Sequence, residues 1–522
     1  VGMFVDDYHP AGMLHMVCVR SPYAHAKIVK IDVSTAESLP GVICTLTGTE
    51  VKAQSNAFTQ LGPEPSALIE DYCLAVDIAR YQGDPVVAVI AESAQLATDA
   101  AQLVDVEYET LPVVVDCRES MEGKTLVHEQ VGTNYTWQGE FEYGEVDKAF
   151  EDASHVVKID HLKFHRYGST PLECNAVVAT WDQMGELDLF CNAIMAVPIA
   201  MLGPALNISS DKIRMRTHDI GGAFGNKISV YPFMTLAALA SKKAGGAPVK
   251  WLETRSEHMM SGGHGSERNF FDTEVALDPE GVITAIRSLH VDYCGAYPRY
   301  EPLACVIWAQ VLPATYKLRN MKIDMRQVVT NKGPTSPNRG YSRLPHLWFM
   351  ERIIDICGHE LGIPADEIRL RNYIKEFPYT TPNGCVYDSG DLPMMLKKAK
   401  ALVGWDEWKK KQAEARKEGR YIGIGIGTTL DSGTNNFGQS QIINPFLPFT
   451  GQSVASTAKL DLDGTVSIAV GSFPQGQGHE TTSAQVVAEV LGIDTDFINV
   501  KTGFDTMRNS HTGTSGTYAS QF

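Results

Sequence analysis

Two glycine-rich loops carry the residues most suited to chemistry. GGAFGNK (221–227, the glycine loop) places a phenylalanine among three glycines, and PQGQG (474–478, the glutamine loop) alternates Gln475 and Gln477 with glycines. Two amide side chains and several backbone N–H groups in the glutamine loop can face one polar ligand. In the glycine loop, the bulky Phe224 would shield a bound group from water. The alternatives without chemistry are a tight turn and a helix start capped by Thr481 or Thr482.

Neither loop has the spacing of a common phosphate-binding sequence. A Walker loop ending at Lys227 requires Gly at 226 and Ser or Thr at 228, and the chain has Asn226 and Ile228. The dinucleotide sequence GxGxxG does not fit the glycine loop either. A single nucleotide phosphate is therefore not the ligand that these sequences indicate.

The elements around both loops follow one arrangement, which recurs three times. A strand-like segment (KIRMRTHDI, VVTNKGP or TVSIAVGS) leads into a Gly- or Pro-rich loop, and a helix-like segment follows. The unpaired N–H groups and positive dipole of a helix N-terminus favour an anion or an electronegative ligand. We predict that the three loops converge on one ligand. FINVKTGFDT, followed by HTGTSGTYAS, starts a fourth such arrangement.

Metal ligation by side chains is not indicated. His479-Glu480 and His359-Glu360 begin like zinc-protease motifs, but Ser483 and Ile363 occupy the positions of the second histidine. The ten cysteines are far apart and form no CxxC pair, so no zinc, iron-sulfur or dithiol site is expected. Most of these thiols are predicted to be reduced, small core residues.

Composition narrows the class of protein. The 522 residues carry a formal charge of −17 and contain no basic run that would follow a nucleic acid backbone. No apolar stretch approaches the roughly 20 residues needed to cross a bilayer. These features predict a soluble, cytoplasmic protein that does not bind nucleic acid and has no membrane span.

The pattern along the chain predicts an α+β protein of several units. Residues 1–118 alternate short strands and helices as a compact α/β domain, and 119–144 form a connecting segment without clear periodicity. A second α+β body spans 145–375. The remaining unit, 376–522, begins with two helices, and a sheet is rebuilt from Tyr421 onward.

At this point the motifs resemble, in order, those of the molybdenum-binding large subunit of the xanthine oxidase family. The segments that carry the resemblance are RSPYAHAKI (20–28), LPGV (39–42), DVEYETLPVVVD (105–116), PLEC (171–174), DIGGAFGNK (219–227), TNKGPTSPNRGYSR (330–343), FPYTTPNG (377–384) with YDSGD (387–391), GQGHETTSAQ (476–485) and GTYAS (516–520). The resemblance covers essentially the whole chain. Among the branches, it is similar to bacterial three-subunit enzymes such as aerobic carbon monoxide dehydrogenase and hydroxylases of N-heteroaromatics.

The resemblance implies an N-terminal hammerhead-like domain, with 145–375 and 376–522 as the first part and the incomplete second part of a molybdopterin-binding domain. The implied cofactor is molybdenum–molybdopterin in its cytosine dinucleotide form. Phe224 and Arg339 match active-site loops of the family. The residues that the family would use to bind the cofactor are Gly222, Ala223, Phe224, Gly225, Gln475, Gly476, Gln477, Gly478, His479, Thr517, Tyr518 and Ser520.

The resemblance also implies a reaction and partners. Members add an oxygen derived from water to a carbon atom, and the electrons leave through two-iron two-sulfur clusters and FAD. This chain has no sequence for either group, so an iron-sulfur small subunit and an FAD-binding medium subunit are expected, in a dimer of heterotrimers. The substrate predicted is an aldehyde or an electron-poor N-heteroaromatic. Tyr341, Trp308 and Phe437 are the aromatic residues that we consider for its pocket.

Several positions depart from the family. Gly340 replaces the copper-linked cysteine of carbon monoxide dehydrogenases, and Ile228 replaces a glutamate of purine-oxidising members. A glutamine expected near 192–194 is absent, and Gln521-Phe522 stand where Arg-Ser is usual. Carbon monoxide and xanthine are therefore disfavoured as substrates.

The family's catalytic glutamate falls beyond residue 522. We expect either a split large subunit, with a separate C-terminal half as partner, or a fragment of a longer chain, and we expect the 522 residues alone to be inactive. Two further interpretations stay open. One is a carbon monoxide dehydrogenase-like oxidoreductase that acts on another small molecule, and the other is a non-catalytic scaffold that keeps the fold.

Overall fold

The structure is a computed structural model of the chain, and it describes residues 2–265, 267–301, 311–430, 456–471, 474–501 and 503–507. Within these ranges no helix is both long enough and apolar enough to cross a membrane. All nine cysteines of the described part are free thiols.

The largest sheet has eight strands and joins segments that are distant along the chain. Its strands, in spatial order, are β21 (Phe504–Asp505), β11 (Ile213–Thr217), β10 (Leu187–Cys191), β9 (Ala176–Trp181), β12 (Val249–Leu252), β1 (Leu14–Arg20), β5 (Pro85–Ala91) and β3 (Val42–Thr47). Strand β5 is the apolar run PVVAVIA and is buried along its whole length, as expected for a strand covered on both faces. Because β1 pairs with both β5 and β12, the N-terminal and central segments share one sheet.

Four smaller sheets complete the strand architecture. A five-stranded sheet has the order β7 (Tyr135–Tyr143), β15 (Asn320–Val328), β14 (Ile283–Tyr293), β13 (Glu267–Leu277) and β8 (His155–Phe164). The other three are β4 (Ile78–Ala79), β2 (Ala26–Asp32) and β6 (Asp105–Thr110); β18 (Ser456–Leu460), β19 (Val466–Val470) and β20 (Ile498–Lys501); and β16 (Tyr379–Thr380) with β17 (Val386–Tyr387).

The helices lie between these strands and cover the sheets. Those of the described residues are α1 (Ser34–Glu37), α2 (Gly48–Gln54), α3 (Ala94–Ala101), α4 (Cys117–Glu122), α5 (Val146–Glu151), α6 (Val197–Leu206), α7 (Tyr231–Lys243), α8 (Arg255–Glu257), α9 (Arg343–Glu360), α10 (Ala365–Asn372), α11 (Leu392–Val403), α12 (Trp405–Lys417) and α13 (His479–Leu491). The mixed α+β class, with an α/β N-terminal part, is as predicted.

Two apolar cores position the functional loops. Helix α7 packs on the large sheet, where the Phe233 ring stacks on Trp251 with 4.0 Å between centroids. Helix α9 packs on the five-stranded sheet, where Phe349 stacks on Phe270 at 4.4 Å. Full burial of such side chains contributes about 1.5–3 kcal/mol each. Each core therefore fixes the start of one helix, and with it the loop that precedes the helix.

Two local expectations differ from the structure. The segment 119–144 is not only a connection, because it contains β7, in which Trp137 and Phe141 lie against the second core. In the sequence YTWQGEFEY, bulky apolar residues alternate with smaller or polar ones, and this alternation is a strand signal that the prediction overlooked. No strand follows Tyr421 within 421–430. There, IGIGIG has glycine at every second position, which leaves one face without side chains to pack.

Candidate functional site

Residues of the glycine loop and of the glutamine loop both line one cleft of about 540 Å³. Residues from four separate segments line it, among them Phe4, Leu172, Gly222, Phe224, Gln475 and Gly476. Two of the three predicted strand-loop-helix units thus contribute directly to the same cavity. Its size is in the range of small-molecule and cofactor pockets.

The glycine loop takes a conformation that ordinary residues avoid. It follows β11 and leads through a short 3-10 turn, Asn226–Ile228, into α7. Gly222 and Gly225 have φ of 82° and 102°, and between them Phe224 has φ of 53°. A positive φ is unusual for a bulky residue and costs on the order of 1–2 kcal/mol. The strained backbone directs the Phe224 ring into the cleft wall, with 45% of the residue exposed.

Close backbone contacts explain two of the loop's glycines. A Cβ atom on Gly221 would lie 2.5 Å from Cβ of Glu173, and one on Gly225 would lie 2.6 Å from the carbonyl oxygen of Pro337. Only glycine fits at such distances. The second contact joins the glycine loop to the segment TSPNRGYSR, so the third predicted loop is also part of this assembly.

The segment that contains Arg339 touches the glycine loop through its backbone and not through its arginine. The Asn338 Oδ1 atom accepts a hydrogen bond from the Arg339 backbone N–H at 2.8 Å, whereas the Arg339 side chain is exposed. Within the described residues, no hydrogen bond or ion pair holds this guanidinium. Tyr341 has φ of 47°, and its hydroxyl donates to the Tyr300 carbonyl at 2.9 Å.

The glutamine loop is open. Gly476 and Gly478 have φ of 95° and 80°, and a Cβ on either would meet no atom of the described residues within 4 Å. The Gln475 backbone N–H donates to the Gln477 side-chain oxygen at 2.5 Å. The Gln475 Nε2 atom is buried at the cleft and has no hydrogen-bond partner in the described part of the chain. A buried donor of this kind calls for an acceptor from a bound molecule.

The helix that follows the glutamine loop starts without a side-chain cap. Gly478 is its N-cap residue, so neither Thr481 nor Thr482 caps it, contrary to the alternative considered from sequence. The Thr482 hydroxyl instead donates to the Gly478 carbonyl at 3.2 Å. A helix N-terminus without a side-chain cap is a position that favours an anionic ligand. Burial lowers the pKa of His479, which favours its neutral form.

Position 192 cannot replace the missing glutamine. Asn192 is fully buried; its Oδ1 accepts from the Ala176 N–H at 3.0 Å, and its Nδ2 donates to the Cys174 carbonyl at 2.8 Å. Both ends of the amide are thus used by backbone groups next to the cleft. Ile228 is buried in the first core, so its side chain has a packing role and not a polar one.

The segment PLEC (171–174), for which the sequence predicted no role of its own, holds the glycine loop. The Glu173 carboxylate accepts from the Gly221 N–H at 2.8 Å and from Lys227 Nζ at 2.9 Å. Lys227 is fully buried; burial lowers its pKa, which the Glu173 charge counteracts. An acidic residue 48 positions before a glycine loop gives no local pattern to recognise.

A second buried group lies under the same segment. Donor atoms of Cys174, Glu253 and His258 are within 4.8 Å of one another. His258 hydrogen-bonds through both ring nitrogens, to Glu253 at 2.8 Å and to the Ser169 carbonyl at 2.9 Å. Because the His258 ring and the Glu253 carboxylate already bond to each other and to Ser169 and Asn175, we assign the group a structural role.

Several predicted residues lie outside the part of the chain that the structure describes. They are Thr517, Tyr518, Ser520, Gln521, Phe522, Trp308 and Phe437.

Comparison with known proteins agrees with the resemblance. Residues 2–112 match the family "Aldehyde oxidase and xanthine dehydrogenase, a/b hammerhead domain", and residues 127–373 and 398–522 match "Molybdopterin cofactor-binding domain" families. The cofactor of these domains is molybdopterin.

Named relatives cover nearly the whole chain. The nicotine 6-hydroxylase large subunit of Paenarthrobacter nicotinovorans is 34% identical over 527 residues, which cover 99% of this chain and 64% of that protein. Quinoline 2-oxidoreductase from Pseudomonas putida 86 has a similar structure, with a TM-score of 0.90, 29% identity, and coverage of 100% of this chain and 68% of that one. A Cu,Mo carbon monoxide dehydrogenase has a TM-score of 0.87 and 30% identity, with coverage of 100% and 68%. The chain thus spans a little under two thirds of the nicotine 6-hydroxylase subunit. It belongs to the xanthine oxidase family, among the molybdenum-binding large subunits.

Proposed function

We propose that this chain is the catalytic large subunit of a molybdenum hydroxylase, or the N-terminal portion of one. The reaction is the transfer of a hydroxyl group derived from water to an aldehyde or to an electron-poor carbon of an N-heteroaromatic ring. The observation that carries the proposal is the cleft in which the glycine loop, Phe224 and the unpartnered Gln475 Nε2 come together.

The residues present fit molybdopterin in three respects. Gln475 supplies a buried donor, the open space above Gly476 and Gly478 admits a bulky ligand, and the uncapped start of α13 suits a phosphate. When bound, this cofactor supplies two-electron oxidation of a carbon centre. We assign the cofactor to Gly222, Ala223, Gly225 and the segment 475–479, with Thr517, Tyr518 and Ser520 as further contacts.

In this proposal, residues of the chain itself bind the cofactor, orient the substrate and shield the site from water. Gly222, which lines the cleft, allows the backbone to approach the ligand closely. Phe224 and Leu172 form an apolar rim that limits water at the reacting centre, and the apolar rim favours a flat, weakly polar substrate. Arg339, exposed at the end of its loop, provides a free cation for an electronegative substrate or cofactor group.

The partners belong to the same proposal. The relatives include the gamma subunit of a 6-hydroxypseudooxynicotine dehydrogenase complex, so assembly with other subunits is known among them. We infer an iron-sulfur small subunit and an FAD-binding medium subunit for this chain, in a dimer of heterotrimers, together with the cytosine dinucleotide form of the cofactor and a cytoplasmic location. A separate C-terminal half remains a further proposed partner.

The test is analysis of the natural complex. We expect stoichiometric molybdenum by mass spectrometry, cytosine monophosphate after acid release, and ¹⁸O from labelled water in hydroxylated nicotine, quinoline or an aldehyde. A product without ¹⁸O would contradict the hydroxylase assignment.

The two rival functions give different results in the same preparation. A complex purified from a competent host without molybdenum would favour the scaffold, which the backbone-engaged Asn192 makes worth testing. Oxidation of a small molecule other than an aldehyde or an N-heteroaromatic compound would favour the carbon monoxide dehydrogenase-like alternative. Gly340, with φ of 84°, offers no thiol for copper in that loop.

A further inference from the structure

We propose that Glu173 is a positioning residue that clamps both ends of the glycine loop and so fixes Phe224 at the cleft. The inference rests on the proposed function, because the position of this loop matters for the cofactor and the substrate. It adds a residue whose role lies outside the two glycine-rich loops.

One carboxylate reaches both flanks of the loop. Its Oε2 atom accepts from the Gly221 N–H at 2.8 Å and from Lys227 Nζ at 2.9 Å. The Glu173 backbone N–H also donates to the Gly221 carbonyl at 3.2 Å. Gly221 and Lys227 are the first and last residues of the loop, so these bonds set the distance between its ends.

The geometry makes this clamp hard to replace. Gly221 lies against the Glu173 side chain so closely that a Cβ would come within 2.5 Å of it. The Lys227 side chain is 0% exposed and that of Glu173 is 16% exposed. Loss of the carboxylate would leave a buried ammonium without its partner, which is far more unfavourable than loss of an exposed pair.

The loop requires such restraint because its backbone is strained. Phe224 has φ of 53°, and a residue persists in that region only when its surroundings fix it. The N-terminal segment also contacts this region. The Val5 N–H donates to Glu173 Oε1 at 3.4 Å, and the Met3 N–H donates to Asp219 Oδ2 at 2.7 Å. The carboxylate therefore links three segments that border the cleft.

The experiment compares Glu173→Gln and Lys227→Met with a matched control in the natural complex. Glu173→Gln preserves shape and an acceptor for the Gly221 N–H, so it folds more readily than Glu173→Ala. The control is Glu351→Gln, whose partner Arg369 is 0% exposed at 2.8 Å in the second core. Amide hydrogen exchange of residues 220–228 is measured in each protein, together with molybdenum retained after dialysis.

We expect exchange in 220–228 to accelerate about 10- to 100-fold in Glu173→Gln and Lys227→Met, as for loss of a charged hydrogen bond. The control should lower the melting temperature without changing exchange in this segment. Molybdenum retention should fall in the two clamp variants and not in the control.

Unchanged exchange in Glu173→Gln, or equal acceleration in Glu351→Gln, would overturn the clamp. The absence of molybdenum from the unmutated complex would overturn the proposed function, while the exchange result would still decide the clamp. The two failures are thus distinguishable.

Discussion

The glycine loop and the glutamine loop border one cleft but are built in opposite ways. In the glycine loop, the protein itself fills the space next to Gly221 and Gly225, through Glu173 and Pro337. In the glutamine loop, no atom from the described part of the chain occupies the space next to Gly476 and Gly478. The first loop is held by the fold, whereas the second leaves room on its surface for a ligand.

This difference separates two uses of glycine. Where another part of the chain lies against the glycine, substitution disturbs the fold. Where nothing lies against it, substitution should disturb mainly the binding of a ligand. The following predictions test that division, and their expected effects decrease in order.

The largest effect is expected for Gly225→Ala. The new Cβ would lie 2.6 Å from the Pro337 carbonyl oxygen in a backbone with φ of 102°. We expect the free energy of unfolding to fall by about 3 kcal/mol or more, because clash and strain add. Urea denaturation measures it. Gly245→Ala is the control: φ is 72° and nothing lies within 4 Å, so a loss of about 1 kcal/mol is expected. Equal losses of stability in the two variants would contradict the distinction between enclosed and open glycines.

Removal of the proposed cofactor should affect the two loops unequally. Stripping molybdopterin from the natural complex should speed hydrogen exchange of residues 474–478 by about 100-fold, as for a ligand present at 100 times its dissociation constant. Residues 221–227 should change by less than about tenfold, because protein contacts hold them. Exchange mass spectrometry of both peptides before and after stripping gives the ratio. A larger change in the glycine loop would reverse the assignment.

Lys227 should make stability depend on alkaline pH. Burial lowers the pKa of the folded lysine below its ordinary 10.5, so the unfolded chain binds more protons within that window. Stability then rises as pH increases toward 10.5, by at most about 1.4 kcal/mol per pH unit. Lys227→Met should abolish this rise in urea titrations at alkaline pH below 10.5. If the free energy of unfolding of the variant rises with pH as steeply as that of the unmutated protein, the buried Lys227 is not the cause of the rise.

His479, on the glutamine side, should give a dependence of the same sign at lower pH. Burial lowers its pKa below the ordinary 6.5, so stability is retained above 6.5 and is lost as pH falls through that window. His479→Gln should reduce the acid loss slightly, because the amide of glutamine does not titrate in this range. Thermal melts at about pH 7 and 5 test this, with the exposed His155→Gln as control. Identical shifts of the melting temperature in both variants would argue against a specific contribution of His479.

The smallest stability effect is expected for Phe224→Gly. Relief of the strained φ of 53° offsets the loss of a ring that is 45% exposed, so the free energy of unfolding should change by less than about 1 kcal/mol. Product formation by the natural complex should nevertheless fall, because the ring borders the cleft. A large stability loss with full turnover would assign Phe224 to packing alone.

Sequence patterns predicted much of this molecule. The strand-loop-helix units around 221–227, 330–343 and 474–478 appear in the structure with the expected order of elements, because periodicity and helix-start signals are local. Local patterns failed where pairing was non-local or glycine dominated, as at β7 and at 421–430. The shared sheet of β1 and β12 also has no local signal, because it forms between residues more than two hundred positions apart.

The sequence by itself determined the ligand-facing chemistry, namely two glycine-rich loops, the alternating glutamines and a phenylalanine where glycine would be expected. Ordered motifs along the chain also determined the family. Only the tertiary structure decided which glycines are enclosed and which are open, and that Glu173 closes the glycine loop through Lys227. The physical reason is that strain, burial and ion pairing depend on distances between segments that are remote in sequence, and neither composition nor spacing encodes those distances locally.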